Sequence, residues 1–225
     1  MSEEFRLPSL IVFFGPDGVG KTTQARLLLR YLSSKKIKAS QVWIRGRHSI
    51  AFFLSNLFVR LGYYRVVRVP SGMAYRIFDP ALIPKLKVLW GVIEFLSVLP
   101  LIVRRVFIPR ILGKTIVADR YVVDTVAYLG YWLGPSFLNG SISRVLLSLI
   151  PRGSLLIHFD AEVSALLGRL SDDTSTEDFL VFQRRVYRRL ALDLGAVTID
   201  TTRKGIKETF ESVLNILASS DRYIV

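Results

Sequence analysis

The chain of 225 residues contains no cysteine, only two methionines and two histidines, and three each of asparagine and glutamine. Without cysteine a secreted disulfide framework is excluded, and an intracellular, cytoplasmic home is favoured. Depletion of thermolabile side chains is a pattern of proteins that work hot. Acid is scarce too. Eighteen Asp and Glu stand against 31 Lys and Arg, a formal net charge of +13 with pI near 10.3. Such a field attracts polyanions: nucleotides, nucleic acid or anionic lipid. No hydrophobic run is long. The longest, Val88 to Val103, has 16 residues and contains Glu94 and Pro100, short of the roughly 20 that cross a bilayer. It is expected to be a buried helix and not a transmembrane span; Arg104 and Arg105 follow it, which leaves peripheral membrane contact open. The opening MSEEFRLPSL is acidic and shows no signal-peptide pattern. Internal repeats and low-complexity tracts are absent.

What is present alternates. Short apolar, β-branched or aromatic runs recur at Ser9–Phe14, Ser40–Ile44, Thr115–Asp119, Ser154–Phe159 and Ala196–Asp200. Each is apolar on both faces, as strands of a parallel sheet covered on both sides are. Helical patterns lie between them at Thr22–Ser34, Ala81–Phe107, Val122–Trp132, Ser143–Leu149, Ala161–Leu170, Thr176–Leu194 and Lys204–Ala218. The alternation predicts an α/β, doubly wound, five-stranded parallel sheet flanked by helices. The chain is long enough to bury roughly 70% of its unfolded surface, and residues 1–225 are expected to form one domain. From Arg45 to Pro80 aromatics and arginines mix with no clean period, which reads as a substrate-facing insertion. The acidic stretch SDDTSTED, Ser171 to Asp178, reads as a mobile lid loop.

The stretch FFGPDGVGKTT carries the chemistry. Gly15, Gly20, Lys21 and Thr22 fit G-x-x-x-x-G-K-[ST], with an apolar strand before and a helix pattern after. Glycines let backbone N–H groups turn inward on phosphate oxygens, and the helix start adds its positive end. The cradle is thus Gly15, Pro16, Asp17, Gly18, Val19, Gly20, Lys21, Thr22 and Thr23. Lys21 is expected on the β- and γ-phosphates of ATP and the Thr22 hydroxyl on Mg²⁺. Asp119 ends a predicted central strand beside this loop, and Arg120 follows. The carboxylate can hold the metal or its water, and the guanidinium can grip phosphate oxygens in a fork. Alone, Asp119 reads equally well as a helix cap.

GPDGVGKTTQ together with DRYVVDTVAY resembles the thymidylate kinases, a branch of the P-loop nucleoside monophosphate kinases. The likeness continues through FDAEVSALLGRL, DFLVFQRRVYRRLA and VTIDTTRKGIKETFESVLNIL, and leaves out about Arg45 to Pro100. It implies transfer of the ATP γ-phosphoryl group to dTMP. It also implies roles. Asp17 would lie near the acceptor sugar hydroxyl. Asp119 and Arg120 would serve as catalytic groups on the acceptor phosphate and metal, with Tyr121 and Tyr128 lining the acceptor pocket. Arg45, or its neighbour Arg47, would take the acceptor phosphate. Gly18 stands where some members carry arginine; members lacking it use a cation from the lid, for which Arg169 is the first candidate, with Arg184 and Arg185 in reach. Phe14 replaces the glutamate common before the loop, Leu129 replaces a glutamine after A-Y, and Glu94 to Leu99 offers no base-reading arginine. Phosphoryl transfer is therefore expected with the acceptor open. Two other readings stand beside it: a kinase of this fold with another acceptor, and an ATP-binding switch that docks on nucleic acid or membrane. Small nucleotides are the expected partners, a stable nucleic-acid partner is not expected, and a homodimer through the long apolar helix is left open. Asp160 reads as a helix cap, His158 as a satisfied core residue, and Trp90 and Phe95 as core.

Overall fold

The computed structural model describes residues 7–46, 48–68, 74–170 and 176–219. Among these, the strands are β1 (Leu10–Phe14), β2 (Ala39–Val42), β3 (Tyr64–Arg68), β4 (Ala74–Phe78), β5 (Thr115–Asp119), β6 (Ser154–Asp160) and β7 (Val197–Asp200). Five of them form one parallel sheet in the order β2-β5-β1-β6-β7, and β3 and β4 form a separate antiparallel hairpin. The helices are α1 (Lys21–Ser34), α2 (Ser49–Arg60), α3 (Pro84–Ile102), α4 (Ile108–Ile111), α5 (Val122–Leu133), α6 (Ser141–Ser148), α7 (Val163–Arg169), α8 (Glu177–Asp193) and α9 (Ile206–Ala218).

The three central strands, β5, β1 and β6, are buried on both faces for a reason visible in β1. Alternate side chains point to opposite sides. Leu10, Val12 and Phe14 join the apolar cluster under α3, α5 and α8, while Ile11 and Phe13 join the one under α1, α7 and α9. The expected five-stranded parallel α/β sheet is what the structure shows. Its register brings Phe13 of β1 opposite Asp119, Phe14 opposite His158, and Asp160 opposite Asp200, so the carboxyl ends of four strands gather on one edge.

Three expectations shift. Trp43 and Ile44 leave the ladder, which ends at Val42. The helix expected to Phe107 runs as α3 to Ile102, passes through a single wide π-helical turn at Val103–Phe107, and resumes as α4. Pro100, three residues before that turn, has no N–H to give the helix. The stretch from Arg45 to Pro80 contains α2 and the β3–β4 hairpin. No period was legible because α2 is apolar on both sides: Ala51 is buried on α3, through an Ala51 N–H to Ser97 Oγ hydrogen bond of 3.0 Å, while Ile50, Phe53 and Leu57 are exposed. Of the expected lid, residues 171–175 lie outside the described residues. Thr176 caps α8, accepting from the Phe179 N–H, and Glu177 and Asp178 form the first turn of that helix.

Candidate active site

The phosphate loop follows β1 directly. Gly15 has φ +142°, and a Cβ there would sit 2.1 Å from the Phe159 carbonyl oxygen on β6, so only glycine lets the loop pass the neighbouring strand. Gly20, at φ +91°, turns the chain into α1. Lys21 is buried, and its ammonium folds back to donate to the carbonyls of Gly15 (2.7 Å) and Pro16 (2.5 Å). Burial and the nearby Arg120 guanidinium pull the Lys21 ammonium down to about 7, against the carboxylates of Asp17, Asp124 and Asp119. Thr22 and Thr23 are exposed on the first turn of α1. Gln24, the last residue of the motif, is buried and ties α1 to α9 by donating to the Ile206 carbonyl.

Arg120 turns back over this loop. It has φ +82°, a left-handed backbone unusual for a residue with a side chain. Two main-chain bonds hold it there, Arg120 N–H to Phe13 O at 3.1 Å and Ile44 N–H to Arg120 O at 3.2 Å. Its guanidinium then pairs with Asp17 in the loop and donates to Asp124 Oδ1 at 3.1 Å. Asp124 is closed in from every side: it accepts from the Tyr121 N–H at 3.1 Å and from the Tyr187 hydroxyl at 2.8 Å. Burial pushes the Asp124 carboxyl up, with Arg120 and Lys21 opposing. Burial also pushes Asp17 up, but Arg120, Arg45 and Lys21 outweigh it and hold Asp17 well below the usual carboxylate range. Asp17 is ionised at any working pH. Arg45, just past β2, reaches Asp17 at 3.6 Å and lies over the Tyr128 ring at 5.8 Å.

Most of the expected site residues are therefore on one sheet edge: the loop with Lys21, Asp17, Arg120, Arg45 and Asp119. Asp119 is buried, with Oδ1 lacking a hydrogen-bond partner among the described residues. Others stand elsewhere. Tyr121, expected in the acceptor pocket, is fully buried in the apolar core and donates its hydroxyl to the Leu149 carbonyl at 2.9 Å; the alternation that places Arg120 over the loop points the next side chain away. Leu129 is likewise fully buried, while Tyr128 is part-buried against Gly46 and Arg45. Arg169, expected as the lid cation, donates to the carbonyls of Thr201 (2.5 Å) and Thr202 (3.1 Å) in the loop after β7. Arg47 lies outside the described residues. Asp160 does not cap α7; it binds Arg184 Nε at 3.0 Å and Arg188 Nη2 at 2.6 Å, pinning α8 to β6.

Sequence reasoning missed Gln183 and Tyr187 of α8. The Gln183 side chain accepts from the Asp17 N–H and donates to Asp17 Oδ2, both at 3.0 Å. A signal existed. Leu180, Gln183, Val186, Tyr187 and Leu190 share the buried face of an otherwise arginine-rich helix, so a glutamine at i and a tyrosine at i+4 on an apolar stripe mark polar atoms with a buried partner.

The donor set suits a nucleotide triphosphate with Mg²⁺. No group of three or more His, Asp or Glu that could hold a metal exists among the described residues. Mg²⁺ needs none, since it binds through one or two protein oxygens plus phosphates and water. The Thr22 hydroxyl and the orphaned Asp119 oxygen are the protein groups that fit it.

A parallel sheet in this order, a glycine-lined phosphate loop with a buried lysine, and an arginine–aspartate cluster on the adjoining strand end define a P-loop phosphotransferase of the nucleoside monophosphate kinase class. No protein-family model matches the chain. Thymidylate kinase from Anaplasma marginale is 29% identical over 168 residues, covering 72% of this chain and 68% of that protein. The Anaplasma phagocytophilum thymidylate kinase is 25% identical over 185 residues, 80% of this chain and 76% of that one. The solved structure of a Candida albicans thymidylate kinase superposes with TM-score 0.59 over 96% of this chain and 94% of that one, at 16% identity. The chain is thus similar to thymidylate kinases over most of its length in sequence, and shares its fold with one.

Proposed function

We propose that this kinase transfers the γ-phosphoryl group of ATP to dTMP, with Mg²⁺, in the cytoplasm. The observation that carries the reading is the Asp17 cluster. A carboxylate inside the phosphate loop is held at once by Arg120, Arg45 and Gln183, which puts two cations for a second phosphate beside the cradle for the first. The relatives' names supply the thymidylate acceptor.

The attacking group is a phosphate oxygen that is already anionic, so the chain need not remove a proton to activate it. The work is to hold two polyanions in line and neutralise their repulsion. Lys21, now satisfied by two loop carbonyls, is placed to exchange them for β- and γ-phosphate oxygens. Arg120 and Arg45 hold the acceptor phosphate while Asp17 keeps both guanidinium groups in register. Thr22 and Asp119 would hold Mg²⁺, which when bound would supply further charge neutralisation. Arg169 fixes the loop at Thr201 and Thr202. Arg185 of α8 is exposed and makes no ion pair with a described residue, which makes it a second lid-cation candidate.

A coupled ADP-release assay with dTMP, dUMP, UMP, CMP, AMP and GMP tests the acceptor, with Lys21→Ala as the blank. Preference for dTMP is the expected result. Turnover with another acceptor and not dTMP would favour the second kinase reading, which Leu129 in the core and the arginine-free Glu94 to Leu99 motivate.

Two exposed apolar stripes support a homodimer. On α2 and its end, Ile50, Phe53, Leu57 and Leu61 recur every three or four residues, and on α3 Leu89, Val92 and Leu96 do the same. Helices left this apolar on the outside need a partner, and among the described residues no helix is long and apolar enough to cross a membrane. Sedimentation equilibrium is expected to give a dimer for the native chain and a monomer for Phe53→Asp.

A further inference from the structure

On the outer edge of the sheet, away from the phosphate loop, a groove of about 530 Å³ runs between β2 and the wide turn after α3. Ser40, Gln41 and Trp43 line one wall, and Arg104, Arg105 and Pro109 the other. The strand is the sheet's open edge. The π-helical turn presents two consecutive arginines, both exposed, and neither forms an ion pair or hydrogen bond with a described residue. Helical irregularities of this kind are frequent at functional sites. Trp43 is 44% exposed, so a partly open indole stands beside two guanidinium groups that are unpaired among the described residues.

We infer that this groove is a second nucleotide site, taking a nucleoside polyphosphate with its base against Trp43 and its phosphates on Arg104 and Arg105. Each part of the chemistry is present. Guanidinium forks suit phosphate oxygens, an exposed indole suits a base face, and Ser40 and Gln41 supply polar groups along the strand. The volume lies within the usual range for small-ligand sites. A bare anion site would need no tryptophan, and a bare aromatic platform would not need two cations left without a partner among the described residues.

The groove is connected to the acceptor side. The Trp43 ring meets the His48 ring edge-on at 5.5 Å, and His48 Nε2 accepts from the Arg45 N–H at 3.3 Å. Arg45 in turn reaches Asp17. Arg105 is close enough to His48 to add to burial in lowering its basicity. A base seated on Trp43 competes with His48 for that ring and loosens the support of Arg45. Occupancy is therefore expected to weaken acceptor binding more than turnover, a consequence that rests on the kinase reading above, whereas binding itself does not.

The full chain carrying Lys21→Ala separates the two, because its phosphate cradle is crippled and no activity is needed. Titrated with dTTP, it is expected to show saturable quenching of tryptophan fluorescence that disappears in Trp43→Phe. Affinity is expected to fall at least tenfold in Arg104→Glu/Arg105→Glu, and inorganic tripolyphosphate is expected to compete at tenfold weaker affinity without quenching. Quenching that survives both substitutions overturns the site. Tripolyphosphate binding as tightly as dTTP overturns the nucleotide assignment in favour of a plain anion site. A single-stranded oligonucleotide that displaces dTTP at far lower concentration overturns it in favour of a nucleic-acid groove. In the active chain, Arg104→Glu/Arg105→Glu is expected to keep its basal turnover and to lose a several-fold rise in acceptor KM caused by excess dTTP. A native chain inactive toward every acceptor, whose Lys21→Ala variant still shows the Trp43-dependent binding, would sink the kinase reading and leave this one standing.

Discussion

Arg120 and Arg65 are both paired with aspartate, and the two pairs could hardly be built more differently. Arg120 is 12% exposed and shares itself between Asp17, at 14%, and Asp124, at 0%. Arg65, on the β3 strand of the hairpin, is 57% exposed; it reaches Asp79 at 2.7 Å and covers the Trp132 ring at 5.9 Å. The first is walled in by the loop, β5 and α8, and every partner has another partner. The second sets a guanidinium that is mostly in water on a carboxylate that is itself buried. An ion pair in water contributes little, while a buried one becomes costly once a partner is removed. The phosphate side of this enzyme is thus a closed polar network, whereas Arg65 on the hairpin keeps most of its side chain in water.

The largest expected effect falls on the closed side. Lys21→Ala removes the charge proposed to meet the β- and γ-phosphates, and kcat/KM is expected to fall by ~10³-fold or more, with far-UV circular dichroism unchanged. Its free ammonium near 7 adds a second signature. A phosphate chain raises that value, so binding of ATP between about pH 7 and 9 takes up a proton. Calorimetry in buffers of different ionisation enthalpy is expected to show the uptake in the native chain and not in Lys21→Ala. Equal kcat/KM in the two chains would end the mechanism.

Arg120→Ala comes next. It strips Asp17 and Asp124 of a cation together, and removing one partner of a buried pair costs about 3–5 kcal/mol. Denaturant unfolding is expected to show a loss of that order, and acceptor turnover to fall with it. A loss below about 1 kcal/mol, the range of an exposed pair, would mean that the network is not closed in solution.

This contrast explains what the sequence made legible. Residues of the closed network are readable because their chemistry fixes their spacing. Gly15, Gly20 and Lys21 must follow a strand and open a helix, and Asp119 with Arg120 must end the neighbouring strand. The sheet was readable for a related reason, since strands buried on both faces are apolar throughout. Gln183 and Tyr187 were harder: their partners are 166 and 63 residues away, and nothing local announces a contact so distant. Tyr121 misled because the D-R-Y run invites one role for three neighbours, whereas a chain entering a helix sends successive side chains to different sides. In α2 the apolar stripes on both sides erased the period that marks a helix.

His158 gives a smaller effect and a clear sign. It lies inside β6 with no exposure, stacks on Phe14 at 5.3 Å, and has Nδ1 3.1 Å from Thr198 Oγ1. Burial lowers its basicity to about 4 from an ordinary 6.5. A base depressed by folding is neutral in the native chain while the unfolded chain already holds the proton. Stability is therefore complete above pH 6.5 and declines as pH falls toward 4, by at most about 3 kcal/mol for this group. In His158→Gln the melting temperature is expected to fall less steeply across that window, because glutamine does not titrate. Parallel pH curves for the two chains would assign the acid lability to other groups.

Arg65→Ala is the smallest change and the sharpest probe of the open side. The substitution removes one partner of Asp79, itself buried, and uncovers Trp132. With Arg65 more than half in water, the expected loss is about 1 kcal/mol or less, against the several expected at Arg120. Urea midpoints for the two variants, measured side by side, test the comparison directly. If Arg65→Ala proved as damaging as Arg120→Ala, the hairpin would be as tightly held as the phosphate cradle. If it were silent in stability yet shifted acceptor KM, the hairpin would be a wall of the acceptor site and not a surface ornament. The sequence between Arg45 and Pro80 would then be where this enzyme departs from its relatives in what it phosphorylates.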